Sequence, residues 1–133
     1  MKKIIALVLV IVLAVCSLAS CSATPNSDPE AAKLALENAG WKVNSLKYVL
    51  DKNAYVGFID AFESVGNKGV NNVEMTFVYF ESEEAATNAW NSPDVQNYIK
   101  VSKDCSYIPD SFVSKQVGNI IYYGYKDMAK DAQ

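Results

Sequence analysis

The chain contains no histidine and no arginine. Without imidazole it lacks the side chain that usually serves as a general base near neutral pH. Ser-His-Asp and Cys-His arrangements are excluded within one chain. The common zinc and copper sites lose their main ligand too, so no metal centre is expected and no cofactor is implied. Without guanidinium there is no bidentate grip on phosphate or carboxylate, because all twelve cationic side chains are lysines. Cysteine is scarce as well: Cys16, Cys21 and Cys105.

What is present at the start of the chain is ordered in three parts. Lys2 and Lys3 are followed by an uncharged apolar stretch from Ile4 to Val15, and then by the short, mostly small segment Ser17 to Ser20. This is the layout of a secretory signal peptide. A membrane-spanning helix needs roughly 20 apolar residues, so this run is too short for a permanent span. Leu18-Ala19-Ser20-Cys21 follows the run directly. Together these segments resemble the signal sequence and lipobox of a bacterial prolipoprotein. Cys16 fits that pattern poorly, because the bulky Val15 precedes it. The resemblance implies removal of residues 1–20 and attachment of a diacylglyceryl thioether to Cys21. It also implies a bacterial cell membrane location, with the lipid holding the protein on the extracytoplasmic face. Two acyl chains give stable attachment, since each buried methylene contributes about 0.8 kcal/mol and one chain alone holds marginally. Residues 21–27 read as a lipidated flexible tether, polar and without apolar periodicity.

Residues 28–133 then form a single domain, long enough to bury its own core. Two of the twelve lysines lie in the leader and none of the fifteen acids does, so the remainder has a side-chain balance of −5. A negative domain is poorly suited to nucleic acid or to anionic lipid, so no nucleic-acid partner is expected and membrane contact should come from the lipid. If Cys21 is lipidated, Cys105 stands alone. It is expected to be buried or inert, because free cysteine usually packs as a small hydrophobe.

Local signals place the elements. Asp28-Pro29 offers a cap and a first helical position, Ser27 and Glu30 have capping-box spacing, and Gly40 provides a stop. Ala32, Ala35, Leu36 and Ala39 share one helix face, and Trp41 should tuck under its end. Val43 to Leu50 reads as a strand. Residues 53–65 are ambiguous: Tyr55, Phe58, Ile59 and Phe62 have helical spacing, yet their residue types favour strands. A short helix or turn passing into a strand near Phe62 satisfies both. A turn at Gly66 to Gly69, extended by Asn71-Asn72, precedes the strand Val73 to Phe80. That strand becomes apolar on both faces and should be central. Ser82 and Ser92 open two helices, carrying Ala85, Ala86, Ala89 and Trp90 on the first, and Val95, Tyr98 and Ile99 on the second. Phe112 to Val117 and Ile120 to Tyr125 flank Gly118-Asn119, which suits a type II′ hairpin. Lys126 to Ala132 closes as a helix. The order predicts an α+β domain, with a mainly antiparallel sheet of three to five strands and two or three helices on one sheet face. The Ala39-Gly40-Trp41 helix end and the run Tyr79-Phe80-Glu81-Ser82-Glu83-Glu84-Ala85-Ala86 resemble small lipoproteins of low-GC Gram-positive bacteria. That resemblance implies no activity.

Candidate chemistry is sparse. Tyr79, Tyr122, Tyr123 and Tyr125 are the candidate surface for a ring-bearing ligand or a partner, set against ordinary core and cross-strand packing. Glu81, Glu83 and Glu84 lack the spacing of a calcium loop and read as a solvated helix start. Asp60 and Glu63 would serve as an acid and base only if they converged in space. The sequence therefore points to a non-catalytic binding module for an envelope protein or small ligand. The alternatives are a small enzyme using carboxylate, Lys or Tyr chemistry, and a structural or inhibitory subunit of an envelope complex.

Overall fold

Helix α1 (Pro29–Asn38) begins where the chain supplies an acceptor. Asp28 Oδ1 accepts from the Glu30 N–H at 3.1 Å, and Pro29 fills the first helical position. A cap of this kind contributes about 1 kcal/mol. In the computed structural model, which describes residues 23–46 and 55–133, Ala32 and Leu36 are fully buried one turn apart. Trp41 lies beneath the helix end, and its Nε1 donates to Asp131 at 2.8 Å. Strand β1 (Lys42–Ser45) follows. The strand stops at Ser45, short of the expected Leu50. Leu46 still donates its N–H to the Ala61 carbonyl at 2.9 Å, while residues 47–50, like residues 53 and 54 of the ambiguous segment, lie outside the described residues.

Strand β2 (Phe58–Lys68) starts after a turn at residues 55–57, four residues before the expected entry at Phe62. It also explains the helical spacing. Phe58 pairs with Phe80 and Asp60 with Tyr79, so Ile59 is an extra residue in a β-bulge. The bulge reverses the alternation. Phe58 and Ala61 pack on one side of the sheet, while Phe62 packs on the other. A strand with one inserted residue thus imitates an i, i+3 pattern.

Strand β3 (Asn71–Phe80) returns through Gly69-Val70, a tighter connection than the loop expected over 66–72. Helix α2 (Glu83–Trp90) and helix α3 (Pro93–Asp104) come next. Ser92 joins them: its Oγ donates to the Ala89 carbonyl at 2.7 Å and accepts from the Val95 N–H at 3.3 Å. A short 3-10 turn leads to β4 (Phe112–Val117), β5 (Ile120–Tyr125) and α4 (Lys126–Asp131). The β4–β5 hairpin has the expected bounds. Gly118 is left-handed, with φ 54°, and Asn119 is not, which is the φ pattern of a II′ turn.

The five strands form one antiparallel sheet in the order β1-β2-β3-β5-β4, with β3 at its centre. The domain is α+β. Two helices cover each face, where the sequence suggested a single covered face. Helices α1 and α4 pack on Phe62, Met75, Phe77, Tyr79 and Tyr122, the first face. Helices α2 and α3 pack on Ala61, Val78, Phe80 and Ile121, the second face. The cause is β3 itself: Phe77, Val78, Tyr79 and Phe80 are all buried, so apolar side chains on both sides need cover.

Residues 21–22 of the expected flexible tether lie outside the described residues, and residues 23–26 differ from the expectation. Residues 23–26 are docked on the first face. The Tyr122 hydroxyl donates to the Ala23 carbonyl at 3.2 Å, and the Tyr79 hydroxyl donates to the Asn26 carbonyl at 2.8 Å. The Asn26 N–H donates to the Ala132 carbonyl at 2.8 Å, and Pro25 is buried. Two buried phenols require acceptors, and the incoming backbone supplies them.

Gly124 marks the tightest backbone approach in the sheet. Its φ is 137°, and a Cβ there would meet the Glu74 carbonyl oxygen and lie 2.6 Å from Met75 Cα. A Cβ on Gly118 would meet nothing within 4 Å. Gly124→Ala should therefore cost about 3 kcal/mol or more in urea unfolding, against about 1 kcal/mol for Gly118→Ala, where only backbone strain acts. Equal losses at the two sites would contradict the close approach.

Candidate functional site

The second face is only half covered. Helices α2 and α3 sit over its apolar part, around Ala61, Val78 and Ile121. Toward the β2–β3 hairpin the same face carries Glu63, Val65 and Asn67 on β2, with Thr76, Glu74 and Asn72 opposite them on β3. These side chains do not call for a helix. Helix α3 has 12 residues, and the chain leaves it at Cys105. An open cleft of about 480 Å³ remains between the sheet and the end of α3. Lys42, Val65, Asn67, Asn72 and Glu74 line the sheet side. Ser102, Cys105, Ser106 and Tyr107 line the helix side. The cleft therefore offers one cation, one carboxylate, two amides and an exposed phenol. Such a surface can hold a polar or zwitterionic ligand by hydrogen bonds and ring contact.

Sequence reasoning missed this site because its parts come from six separate stretches of chain, the last two at Phe112 and at Gly124-Tyr125. Cys105 belongs to it. The residue is exposed at the end of α3, which removes the buried alternative of the expected buried or inert thiol. Its position as the helix C-cap places it outside the packed stripe of Val95 and Ile99.

The four candidate tyrosines do not share a surface. Tyr79, Tyr122 and Tyr125 are buried in the core of the first face. Tyr123 points to the second face, half-buried beside Tyr55 and Tyr98. Tyr79 and Tyr122 are core residues, Tyr123 packs on the second face, and Tyr125, though mostly buried, also borders the cleft. Burial pushes the Tyr79, Tyr122 and Tyr123 phenols above their ordinary value. The Asp127 carboxylate, 2.7 Å from the Tyr125 hydroxyl, pushes that phenol up to about 12.

Asp60 and Glu63 fail to converge. The strand carries them to opposite faces, with Asp60 on the first face beside Tyr79 and Glu63 accepting from Asn44 at 3.1 Å. Asp60 is buried and accepts from Lys33 Nζ at 2.6 Å. Lys33 also reaches Glu30 at 2.8 Å and lies over the Phe62 ring, 5.4 Å from its centroid. Burial works to lower the Lys33 pKa, but the hydrogen bonds to Asp60 and Glu30 outweigh it and raise the value. This constellation keeps an ammonium charged; it does not prepare a base. Glu81, Glu83 and Glu84 are exposed at the start of α2, and no group of His, Cys, Asp or Glu able to hold a metal occurs among the described residues.

Lys33→Met should destabilise the domain by about 3 kcal/mol, because it removes the cation from a buried carboxylate. The double variant Lys33→Met/Asp60→Leu should recover most of that loss in denaturant titration. A double variant as weak as the single one would show that the pair is not the source.

The raised tyrosines and Lys33 also set the pH response. Unfolded phenols lose their protons near pH 10, while the folded ones hold them longer, Tyr125 to about 12. Their contribution is complete below pH 10 and is lost as pH rises towards about 12. Lys33 adds to this alkaline loss, since its folded value is raised above 10.5. Thermal unfolding should show no imidazole step between about pH 5 and 8, and on the alkaline side should fall steeply above pH 10. A fall that begins below pH 9 would contradict the assignment.

No family model matches the chain, and no curated protein or solved structure is significantly similar to it.

Proposed function

We propose that this protein is a lipid-anchored extracytoplasmic module that binds a small polar ligand or short peptide through the cleft, without turnover. The observation that carries the binding reading is the cleft itself. It opens on the uncovered half of a rigid sheet, and opposite charges, Lys42 and Glu74, stand among its lining. The enzyme alternative has less support. The shifted groups hold their protons more tightly, whereas catalysis near neutral pH needs groups poised to exchange them. A role as a structural subunit would be favoured by a broad apolar patch. The exposed large apolar side chains instead come from several elements, with Leu34 on α1, Val56 just before β2, Ile59 on β2, Val70 at a hairpin, Tyr98 and Val101 on α3 and Tyr107 just beyond it.

The anchor reading rests on Leu18-Ala19-Ser20-Cys21 and the apolar stretch before it, which lie outside the described residues. No helix among the described residues is long and apolar enough to cross a membrane. Cys21→Ala should move the protein from the membrane fraction to the soluble fraction and change its gel mobility. Retention with unchanged mobility would refute the anchor.

Binding is tested by NMR with a library of zwitterionic small molecules and short peptides. Ligand-induced shifts should gather at residues 65–67, 72–74 and 102–107. Glu74→Lys should weaken binding about tenfold or more, the effect of losing a charge-assisted contact, and leave the melting temperature unchanged. Shifts spread over the whole surface, or an indifferent Glu74→Lys, would overturn the cleft as the site.

A further inference from the structure

The docked N-terminal segment and the cleft lie on opposite faces of the sheet. Ala23 and Asn26 are held by Tyr122 and Tyr79, whose side chains belong to the face that α1 and α4 cover. The cleft is walled by Val65 and Glu74 on the other face and by the end of α3. Only Ser22 separates Ala23 from Cys21 in the sequence. An extended residue spans at most about 3.6 Å, so a two-residue link reaches less than one helix diameter, about 10–12 Å.

We infer that the short docked leash orients the domain on the membrane: the α1/α4 layer faces the lipid, and the cleft opens towards the aqueous phase. The inference rests on the reading of Cys21 as the lipid-bearing residue. A flexible tether would let either face meet the bilayer. Here the hydrogen bonds from Tyr79 and Tyr122, together with the Asn26–Ala132 bond, fix the point of entry. The exposed charges of the lipid-facing helices are mixed, with Glu37 on α1 and Lys126 and Lys130 on α4. The leash therefore sets the orientation, not a charged patch. One consequence concerns the ligand: it arrives from solution, and a headgroup of the anchoring membrane is not its source.

The test uses the full lipidated protein on vesicles whose headgroups carry an energy acceptor. A donor dye is placed on the native Cys105 thiol at the cleft, or on Lys130→Cys in a Cys105→Ser background. The labelled variants are first checked for the wild-type melting temperature. The two positions lie in opposite outer layers, each about one helix diameter thick, so transfer from position 130 should exceed that from 105 about twofold or more. A long Gly/Ser insertion between Ser22 and Ala23 should abolish the difference. Equal transfer from the two sites, the reverse order, or a difference that survives the insertion would overturn the orientation. Cys21→Ala separates the two claims. Release of that variant from vesicles keeps the anchor reading even where the orientation fails. Continued binding of the variant overturns both.

Discussion

A row of aromatic rings across the first face governs the rest of the domain. Phe62 stacks on Phe77 with centroids 5.0 Å apart, and Phe77 continues to Tyr122 at 6.4 Å. Tyr79 joins Phe62 at 5.9 Å. These contacts follow the ladder, because Phe62 pairs with Phe77 and Phe77 with Tyr122. Each such pair adds about 0.5–1.5 kcal/mol beyond its burial. The larger effect is on register. A slip of one residue between β2 and β3 would take the rings off one another and turn one strand inside out. The row therefore joins β2, β3 and β5 into the rigid centre of the sheet. Its two phenols also need acceptors at the margin of the core. Those acceptors are Ala23 and Asn26, so the aromatic row ends by fixing how the chain enters the domain.

The bulge at Ile59 links this row to the rest. By shifting the alternation it turns Asp60 into the first face, where Lys33 of α1 meets it. The same shift leaves Phe58 on the second face, against the α2–α3 layer. One inserted residue thus gives α1 a polar fastening and the opposite layer an aromatic contact. The second face has no comparable row along its whole length. Its apolar part ends near Val78 and Ile121, and polar residues take over towards the β2–β3 hairpin. The cleft is the geometric result of that change in composition under a helix of fixed length.

Much of the fold was legible in the sequence, and the reason is locality. The caps Asp28, Ser82 and Ser92, and the Gly118-Asn119 hairpin, depend on neighbours within a few residues. The central place of β3 was legible from its doubly apolar second half. What failed depends on distant partners. The spacing of Tyr55, Phe58, Ile59 and Phe62 hid a bulge that only pairing with β3 reveals. The fate of the last tyrosines depends on Gly124. Simple alternation would place Tyr123 and Tyr125 together, but at φ 137° the strand bends, and Tyr125 returns to the first face, 6.3 Å from Trp41. The docking of residues 23–26 had no local signature, since a polar Ser-, Thr- and Asn-containing stretch reads the same whether its carbonyls meet water or a buried phenol. Of the candidate site, Cys105 and Tyr125 had been singled out, and the exposure of Cys105 follows from where α3 stops.

The missing histidine and arginine bear on how such a domain works. Among the described residues, its part-buried polar contacts draw on phenols, the Trp41 indole, asparagine amides, the Ser92 hydroxyl, the Lys33 ammonium and carboxylates. Tyr125 keeps its proton to about pH 12 and Lys33 is held cationic, so neither of these two groups changes charge near neutral pH. A module proposed to recognise a ligand outside the membrane gains from that constancy. The variable chemistry is left to the cleft, where Lys42, Glu74 and Tyr107 meet solvent. The aromatic row and the cleft thus lie on opposite faces of the same sheet. Under the proposed binding role, substitutions in the cleft would change what is bound without disturbing the row that holds the strands in register.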